Sequence, residues 1–181
     1  MGVRLPPGVC TSMASMQNNF TLEQDMKWMK EALKEAKKAF SKKEVPIGAV
    51  VVCEDQIIGR GHNQIESLND ATAHAEILAI TAASNALSSW RLSGCTLYAT
   101  VEPCVMCAGA ISLARIDRIV FGAFDPKKGA VGSLYNILKD DRLNHQVEIS
   151  FGVLEKECSQ ILNVFFKEVR QAKAVGNGGK D

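Results

Sequence analysis

Segments with a helical pattern and segments with a strand pattern alternate along this chain of 181 residues. The first helical segment begins after Thr21, whose spacing to Gln24 predicts a capping box, and it ends near Lys43. An apolar run at residues 47–53 and a second strand segment at 56–61 then predict a hairpin with its turn at positions 54–55. Such alternation is typical of an α/β domain whose helices cover both faces of a sheet.

The rest of the chain continues this alternation. Its apolar spacing predicts, in chain order, helix 74–89, strand 95–101, helix 104–114, strand 118–122, strand 146–153 and helix 155–173. No internal repeat or linker interrupts the pattern. We therefore expect one domain over residues 21–174, preceded by a disordered extension at 1–20 and followed by a frayed tail at 175–181.

Composition narrows the functional classes. Hydrophobic residues make up 46% of the chain, enough to bury a core without a structural metal, so a metal site here would serve chemistry. The net charge of +1 excludes a uniformly basic nucleic-acid-binding surface, and no apolar run approaches the ~18 residues that span a bilayer. Six cysteines with one Cys-x-x-Cys pair indicate a reducing compartment. We expect a cytoplasmic protein, with organellar import through residues 1–20 as the lesser alternative.

Two short motifs supply the groups of a catalytic zinc site. His74 begins a predicted helix, while Cys104 and Cys107 share one face at the start of another. Catalytic zinc takes three protein ligands and leaves a fourth position for water, so these residues are the expected ligands of one ion per chain. Glu76 follows His74 by two residues and therefore does not share its helix face. We assign Glu76 as the general acid and base that acts on the water.

The order His-x-Glu followed by Pro-Cys-x-x-Cys is the signature of zinc deaminases that act on nucleobases. Cys-x-x-Cys alone, at a strand-to-helix junction, also fits a thioredoxin-like redox pair, so a redox or structural zinc module stays open as the alternative class. A four-cysteine site is disfavoured because the chain has no second Cys-x-x-Cys. We expect the other cysteines to be buried or inert, and His62 and His145 to be exposed loop residues.

The segments around these motifs resemble the bacterial-type tRNA-specific adenosine deaminases. The similarity covers about residues 21–169 and is carried by Asn63 and by segments 70–77, 100–110, 121–125, 129–133, 144–145 and 152–154. Ala71 departs from the proline that this family often has. The resemblance implies a three-layer α/β/α fold of the cytidine deaminase type with a mixed five-stranded sheet. It also implies a homodimer that converts adenosine to inosine at the wobble position of a tRNA anticodon, that of tRNA-Arg, and releases ammonia.

Further site residues follow from the resemblance. Asn63 and the backbone N–H of Ala75 would hold the flipped adenine, although Asn63 equally fits an ordinary turn. Asp125 would contact the nucleic-acid backbone or the flanking sugar. The candidates for phosphate contacts, which also fit a solvated surface, are Lys127, Lys128, Arg142, Lys167, Arg170 and Lys173. A small-molecule deaminase of guanine, cytosine or a free nucleoside is the alternative function, because its zinc chemistry is the same.

Overall fold

The computed structural model describes residues 21–177 of the chain. Its helices are α1 (Leu22–Ser41), α2 (Ile65–Leu68), α3 (Ala75–Leu87), α4 (Val105–Leu113) and α5 (Glu155–Asn177), with a 3₁₀ turn at Ile137–Lys139. Its strands are β1 (Gly48–Cys53), β2 (Gln56–His62), β3 (Cys95–Val101), β4 (Arg118–Ala123) and β5 (Glu148–Phe151). The expected disordered extension, 1–20, and the last four residues of the expected tail lie outside the described residues.

The strands form one mixed sheet in the order β2-β1-β3-β4-β5. β1 is antiparallel to both of its neighbours, β2 and β3, whereas β3, β4 and β5 are parallel to one another. The carboxyl ends of these three parallel strands therefore meet at one edge of the sheet. The mixed five-stranded sheet is confirmed.

Local sequence signals account for the first elements. The side chain of Thr21 accepts a hydrogen bond from the backbone of Gln24 at 3.2 Å, and the Gln24 side chain accepts one from the Thr21 backbone at 3.1 Å. This pair is the predicted capping box. At the hairpin turn, Glu54 and Asp55 have φ angles of 49° and 56°, as a two-residue turn with right-handed twist requires.

Helices cover both faces of the sheet. Successive residues of a strand point to opposite faces, so the neighbours Leu97 and Tyr98 on β3 belong to different clusters. The Tyr98 cluster includes Met29 of α1 and Cys158 of α5, and the Leu97 cluster includes residues of α3 and α4 such as Ile111. None of the described helices is both long and apolar enough to cross a membrane.

A buried ion pair ties α1 to the sheet. The guanidinium of Arg118 on β4 donates to both carboxylate oxygens of Asp25 at 2.7 and 2.8 Å. The hydroxyl of Tyr98 donates to the same carboxylate at 2.9 Å. A buried charge pair is tolerated when its remaining polar atoms are also hydrogen-bonded, and the tyrosine contributes to this here.

Glycines in β2 let α3 lie directly on the sheet. A Cβ atom on Gly61 would overlap the carbonyl oxygen of Ala75, and one on Gly59 would overlap that of Ala79. No larger residue fits at either position without moving the helix. This close packing fixes the start of α3 beside the end of β2. His74 stands directly before α3 and Asn63 directly after β2, so the packing also sets the distance between these two residues.

Candidate metal centre and active site

Three metal-binding side chains converge at the start of two helices. His74 is the N-cap residue of α3 and Cys104 is the N-cap residue of α4. The Nδ1 atom of His74 lies 3.6 Å from Sγ of Cys104 and 3.5 Å from Sγ of Cys107. The ligand atoms of the three residues all lie within 4.8 Å of one another. The structure thus brings together the three side chains that the motifs predict as ligands.

The distances between these atoms fit a tetrahedral zinc site. Zinc–sulfur bonds of ~2.3 Å and zinc–nitrogen bonds of ~2.0–2.1 Å at tetrahedral angles would separate nitrogen from sulfur by about 3.5 Å. The separations of 3.5 and 3.6 Å around His74 match this value. One imidazole and two thiols form a donor set for zinc, whereas magnesium and calcium prefer oxygen ligands.

The ionisation of the ligands is coupled. Hydrogen bonds from the Cys107 thiol and from His74 lower the pKa of Cys104 to about 3. The hydrogen bond with Cys104, together with burial, raises the pKa of Cys107. The hydrogen bond to Cys104 also raises the pKa of His74, while the nearby charge of Lys128 opposes that rise. These opposite shifts make Cys104 the more acidic thiol of the pair.

Glu76 lies beside the ligands in a buried position. Glu76 is the second residue of α3 and is 4% exposed. Burial raises the pKa of this carboxyl to about 7, against hydrogen bonds from its own backbone and from Cys107. A carboxyl that titrates near neutrality can both take up and deliver a proton under physiological conditions.

Asn63 is held at the end of β2 by backbone and side-chain contacts. Its backbone N–H donates to Ile47 at 3.0 Å, and its side-chain amide donates to the carboxylate of Glu44 at 3.3 Å. The next residue, Gln64, donates to the carbonyl of Ala73 at 3.0 Å, which brings Asn63 close to the start of α3. The structure therefore places this predicted substrate residue, which is 2% exposed, near His74.

Ala75 and Asp125, the other two predicted substrate residues, differ in their surroundings. Ala75 is fully buried and is the first residue of α3, so its N–H belongs to the first turn, where intrahelical acceptors are lacking. Asp125 follows β4, and its Oδ1 accepts hydrogen bonds from the backbones of Lys127 and Lys128 at 2.9 and 3.1 Å. The Asp125 side chain thus shapes its own turn. A contact of either residue with substrate stays a prediction.

Glu102 organises the loop that carries Asp125. Its buried carboxylate accepts backbone hydrogen bonds from Asp125 at 3.0 Å, Val131 at 3.0 Å and Ser133 at 2.9 Å, and one from the Ser133 hydroxyl. Burial alone would raise the pKa of Glu102, but these hydrogen bonds outweigh it and lower the pKa. Gly129 packs so closely on the carboxylate that a Cβ atom would overlap it. The sequence motifs assign Glu102 no role, although it stands two residues before Cys104.

Glu44 is a second buried carboxylate near the site that the sequence motifs do not reveal. Its carboxylate is buried and accepts hydrogen bonds from the side chain of Asn63 and from the backbones of Glu66 and Ser67 at the start of α2. Burial would raise the pKa of Glu44, but the bonds from the Ser67 hydroxyl and backbone outweigh it and lower the pKa. A lone acid in a lysine-rich stretch offers no sequence signal for such a role.

The histidines outside the motifs are both less exposed than expected. The prediction for His62 as an exposed loop residue is wrong: it belongs to β2, its side chain is 13% exposed, and it contacts Glu35 at 3.3 Å. His145 does lie in a loop, but it is half-buried and its Nε2 lies 2.8 Å from the carbonyl of Ile116. Cys95 and Cys158 are buried free thiols, as expected.

The predicted phosphate-binding residues fall into two groups. Lys127 and Lys128 are exposed in the turn that Asp125 forms, next to Gly129, which forms a β-bridge with Cys104. Arg142 is exposed but is paired with Asp140 at 2.5 Å. Three exposed residues lie along α5: Lys167, Arg170 and Lys173.

Comparison with known proteins identifies the family. Residues 23–170 match the family described as MafB19-like deaminase. The tRNA-specific adenosine deaminase of Bacillus subtilis (strain 168) is 55% identical over 152 residues, which cover 84% of this chain and 94% of that protein. This chain belongs to the tRNA-specific adenosine deaminases. The deaminase of that name from Aquifex aeolicus (strain VF5) is 50% identical over 79% of this chain and 94% of its own length.

Solved structures share the fold of this deaminase. One, from a study of A-to-I editing by tRNA:A34 deaminases at the wobble position of transfer RNA, is 47% identical with a TM-score of 0.73. The matched region covers 75% of this chain and 99% of the chain in that structure. A guanine deaminase from Nitrosomonas europaea has a TM-score of 0.66 at 20% identity, with 85% of this chain and 96% of that chain covered, and shows the fold alone.

Proposed function

We propose that this chain is a zinc-dependent hydrolase that converts adenosine to inosine at the wobble position, A34, of a tRNA anticodon and releases ammonia. The observation that carries this proposal is the juxtaposition of three ligands, His74, Cys104 and Cys107, with the buried carboxyl of Glu76. The family to which the chain belongs is named for this reaction. Water and adenosine enter the reaction, and inosine and ammonia leave it.

His74, Cys104 and Cys107 would hold one zinc ion per chain. When bound, zinc supplies a Lewis-acidic centre that lowers the pKa of a water molecule. The protein would contribute three ligands, which the starts of two helices hold in position. The matching nitrogen–sulfur separations support zinc as the metal.

Glu76 is the proposed carrier of protons. Its carboxyl, with a pKa near neutrality, takes one proton from water and delivers it to N1 of the adenine as the water oxygen bonds to C6. It then takes the remaining proton from that oxygen and delivers it to the amine, which leaves as ammonia when the C6–N bond breaks. Because Glu76 stands two residues after His74 on α3, it does not share the ligand face.

The adenine must leave its stack to reach this buried centre, so the anticodon loop nucleotide is splayed into the pocket. Asn63 and the backbone N–H of Ala75 are the proposed partners of the flipped base. The bond to Glu44 fixes the orientation of the Asn63 amide, which supports a defined hydrogen-bonding role. Asp125 is proposed to contact the flanking sugar or backbone from the turn it forms.

An open apolar face on α4 supports the proposed homodimer. Val105 and Leu113 are 51% and 73% exposed, and a Cβ atom on Gly109, between them, would meet no atom within 4 Å. These residues are four apart and form one stripe along the helix. In sedimentation, Leu113→Asp should yield monomers, whereas Trp90→Asp, at another exposed apolar residue, should not. A monomeric wild-type protein would contradict the dimer.

We further propose one catalytic domain over residues 21–174, with 1–20 and 175–181 outside it. The family match over residues 23–170 supports these bounds. A tRNA substrate is consistent with a cytoplasmic enzyme.

The decisive experiment measures inosine in a tRNA-Arg anticodon stem-loop after incubation with zinc-loaded protein. Wild type should form inosine, while Glu76→Ala should form none at equal zinc content, because it lacks only the proton carrier. Ammonia from guanine, cytosine or free nucleosides, with the stem-loop unchanged, would replace this proposal with the small-molecule alternative. Release of no ammonia from any substrate would favour the redox or structural zinc module.

A further inference from the structure

Two exposed aromatic rings lie at the sheet edge that carries the metal ligands. Phe124 follows β4 and Phe151 ends β5, and both strands run parallel to β3, which leads to Cys104. Phe124 is 41% exposed and Phe151 is 61% exposed. In open α/β sheets, ligands bind outside the carboxyl ends of the parallel strands. The rings are therefore on the ligand-binding edge of the molecule.

The two rings form a supported pair. Their centroids are 5.3 Å apart at an interplanar angle of 58°. Beneath them, the fully buried ring of Phe121 lies 5.1 Å from Phe124 and 6.0 Å from Phe151. A rigid aromatic surface loses little conformational entropy when a ligand stacks on it. The pair is thus a prepared apolar surface.

Positive charge adjoins the aromatic pair. Phe124 leads directly into the turn that Asp125 forms with the backbones of Lys127 and Lys128, both of which are exposed. Gly129, the residue after Lys128, forms an isolated β-bridge with Cys104, so the lysine lies beside the proposed metal ligands. Exposed rings beside lysines match the chemistry of a single-stranded nucleotide, whose base stacks while its phosphate pairs with the cation. A second copy of this chain would instead bring like charges together.

We propose that the Phe124–Phe151 pair is a stacking platform for the base of a nucleotide that flanks the deaminated adenosine, with Lys127 and Lys128 on its phosphate. This inference rests on the proposed RNA substrate. Stacking does not read base identity, because every base has a π-face. The platform therefore holds the splayed loop in place without adding sequence selectivity.

Kinetics of stem-loop deamination test the platform. Phe124→Ala and Phe151→Ala should each raise KM about fivefold or more, since loss of one stacked base costs at least ~1 kcal/mol. The kcat should change little, because the lost contact is made equally in ground and transition states. Tyrosine at either position should retain the wild-type KM, and leucine should not. Trp90→Ala is the matched control, an exposed aromatic residue before β3, at the opposite sheet edge.

Abasic substrates isolate the contact itself. Two abasic stem-loops are compared, one that lacks the base 5′ of the target and one that lacks the base 3′ of it. Each should raise the KM of the wild type. With one of these two substrates, wild type and Phe124→Ala should have the same KM. If both alanine variants keep the kcat and KM of the wild type, the platform is overturned and the proposed function is left intact. A lower sedimentation mass for the variants would overturn it in favour of a protein interface. An inactive wild type would reject both proposals.

Discussion

Single buried carboxylates hold the surroundings of the proposed metal ligands in place. Glu102 stands directly before Pro103 and binds three backbone N–H groups of the loop from Asp125 to Ser133. Burying a carboxylate is unfavourable unless hydrogen bonds satisfy it, and charge-assisted bonds are about twice as strong as neutral ones. The position of the loop and that of the Cys104 turn are therefore coupled through one side chain.

Glu102→Gln should weaken this coupling. The amide nitrogen that replaces one oxygen would face backbone donors, so the free energy of unfolding should fall by roughly 1.5–3 kcal/mol. The KM for a stem-loop should rise because the loop with Asp125 and Lys128 loses its anchor. Urea denaturation and steady-state kinetics measure the two effects. Glu23→Gln, exposed on α1, is the control, and equal values for both variants would refute the anchoring role.

Metal analysis of single variants tests the ligand set. Cys104→Ser and Cys107→Ser should purify without zinc, because serine is a poor zinc ligand at neutral pH. Cys158→Ser, which alters another buried thiol, should retain one zinc per chain. Glu76→Ala should retain zinc without turnover. Zinc loss in the glutamate variant, or zinc retention in both motif cysteine variants, would reject the assigned roles.

At the scale of elements, helix starts and short loops are stabilised by groups from distant parts of the chain. Glu44, which follows α1, accepts from the backbones of Glu66 and Ser67 in the first turn of α2. A carboxylate is favourable there, because the first N–H groups of a helix have no intrahelical acceptors. The same carboxylate binds Asn63, so the short helix and the proposed base-binding residue share one anchor.

This anchor predicts a pH dependence of stability. The pKa of Glu44 is lower in the folded protein than its ordinary value of 4.5, so its contribution to stability is present above about pH 4.5 and is lost as the pH falls through the folded pKa. Wild type should therefore exceed Glu44→Gln in unfolding free energy at pH 7, and the difference should shrink below pH 4.5. Denaturation of both proteins across this range measures it. A difference that stays constant with pH would contradict the assignment.

At the scale of the whole molecule, charge is nearly balanced. The net charge is +1, so no long-range field attracts RNA. Binding of an anticodon stem-loop must rely on local cations such as Lys127 and Lys128, whose exposed side chains adjoin the site. The expected interaction is therefore local and screened by salt.

Salt titration tests this distribution of charge. Stem-loop affinity should fall as salt rises, with a logarithmic slope of about −0.7 to −0.9 for each phosphate contact. Lys128→Gln should reduce the magnitude of the slope by about 1, since it removes one such contact. Lys30→Gln, exposed on α1, should leave the slope unchanged. Equal slopes for both variants would exclude Lys128 as a phosphate contact.

Much of this molecule follows from its sequence, because the relevant interactions are local. The Thr21–Gln24 cap, the hairpin turn and the strand at Cys95–Val101 depend on neighbours a few residues apart. Periodicity is weaker for short elements, so it does not predict α2 or the 3₁₀ turn, and it predicts a β5 longer than the four residues observed. The last helix runs to Asn177, four residues beyond its predicted end.

The sequence alone determined the pattern of helices and strands and the identity of the metal-binding candidates, since motif spacing reflects the geometry of one helical turn. Only the tertiary structure decided what surrounds these residues. Contacts between distant segments join Glu44 to Asn63 and Glu102 to the loop at Ser133. The alignment of Phe124 with Phe151 likewise arises from the parallel pairing of β4 and β5. Such contacts depend on how the chain folds back on itself, and no local pattern encodes them.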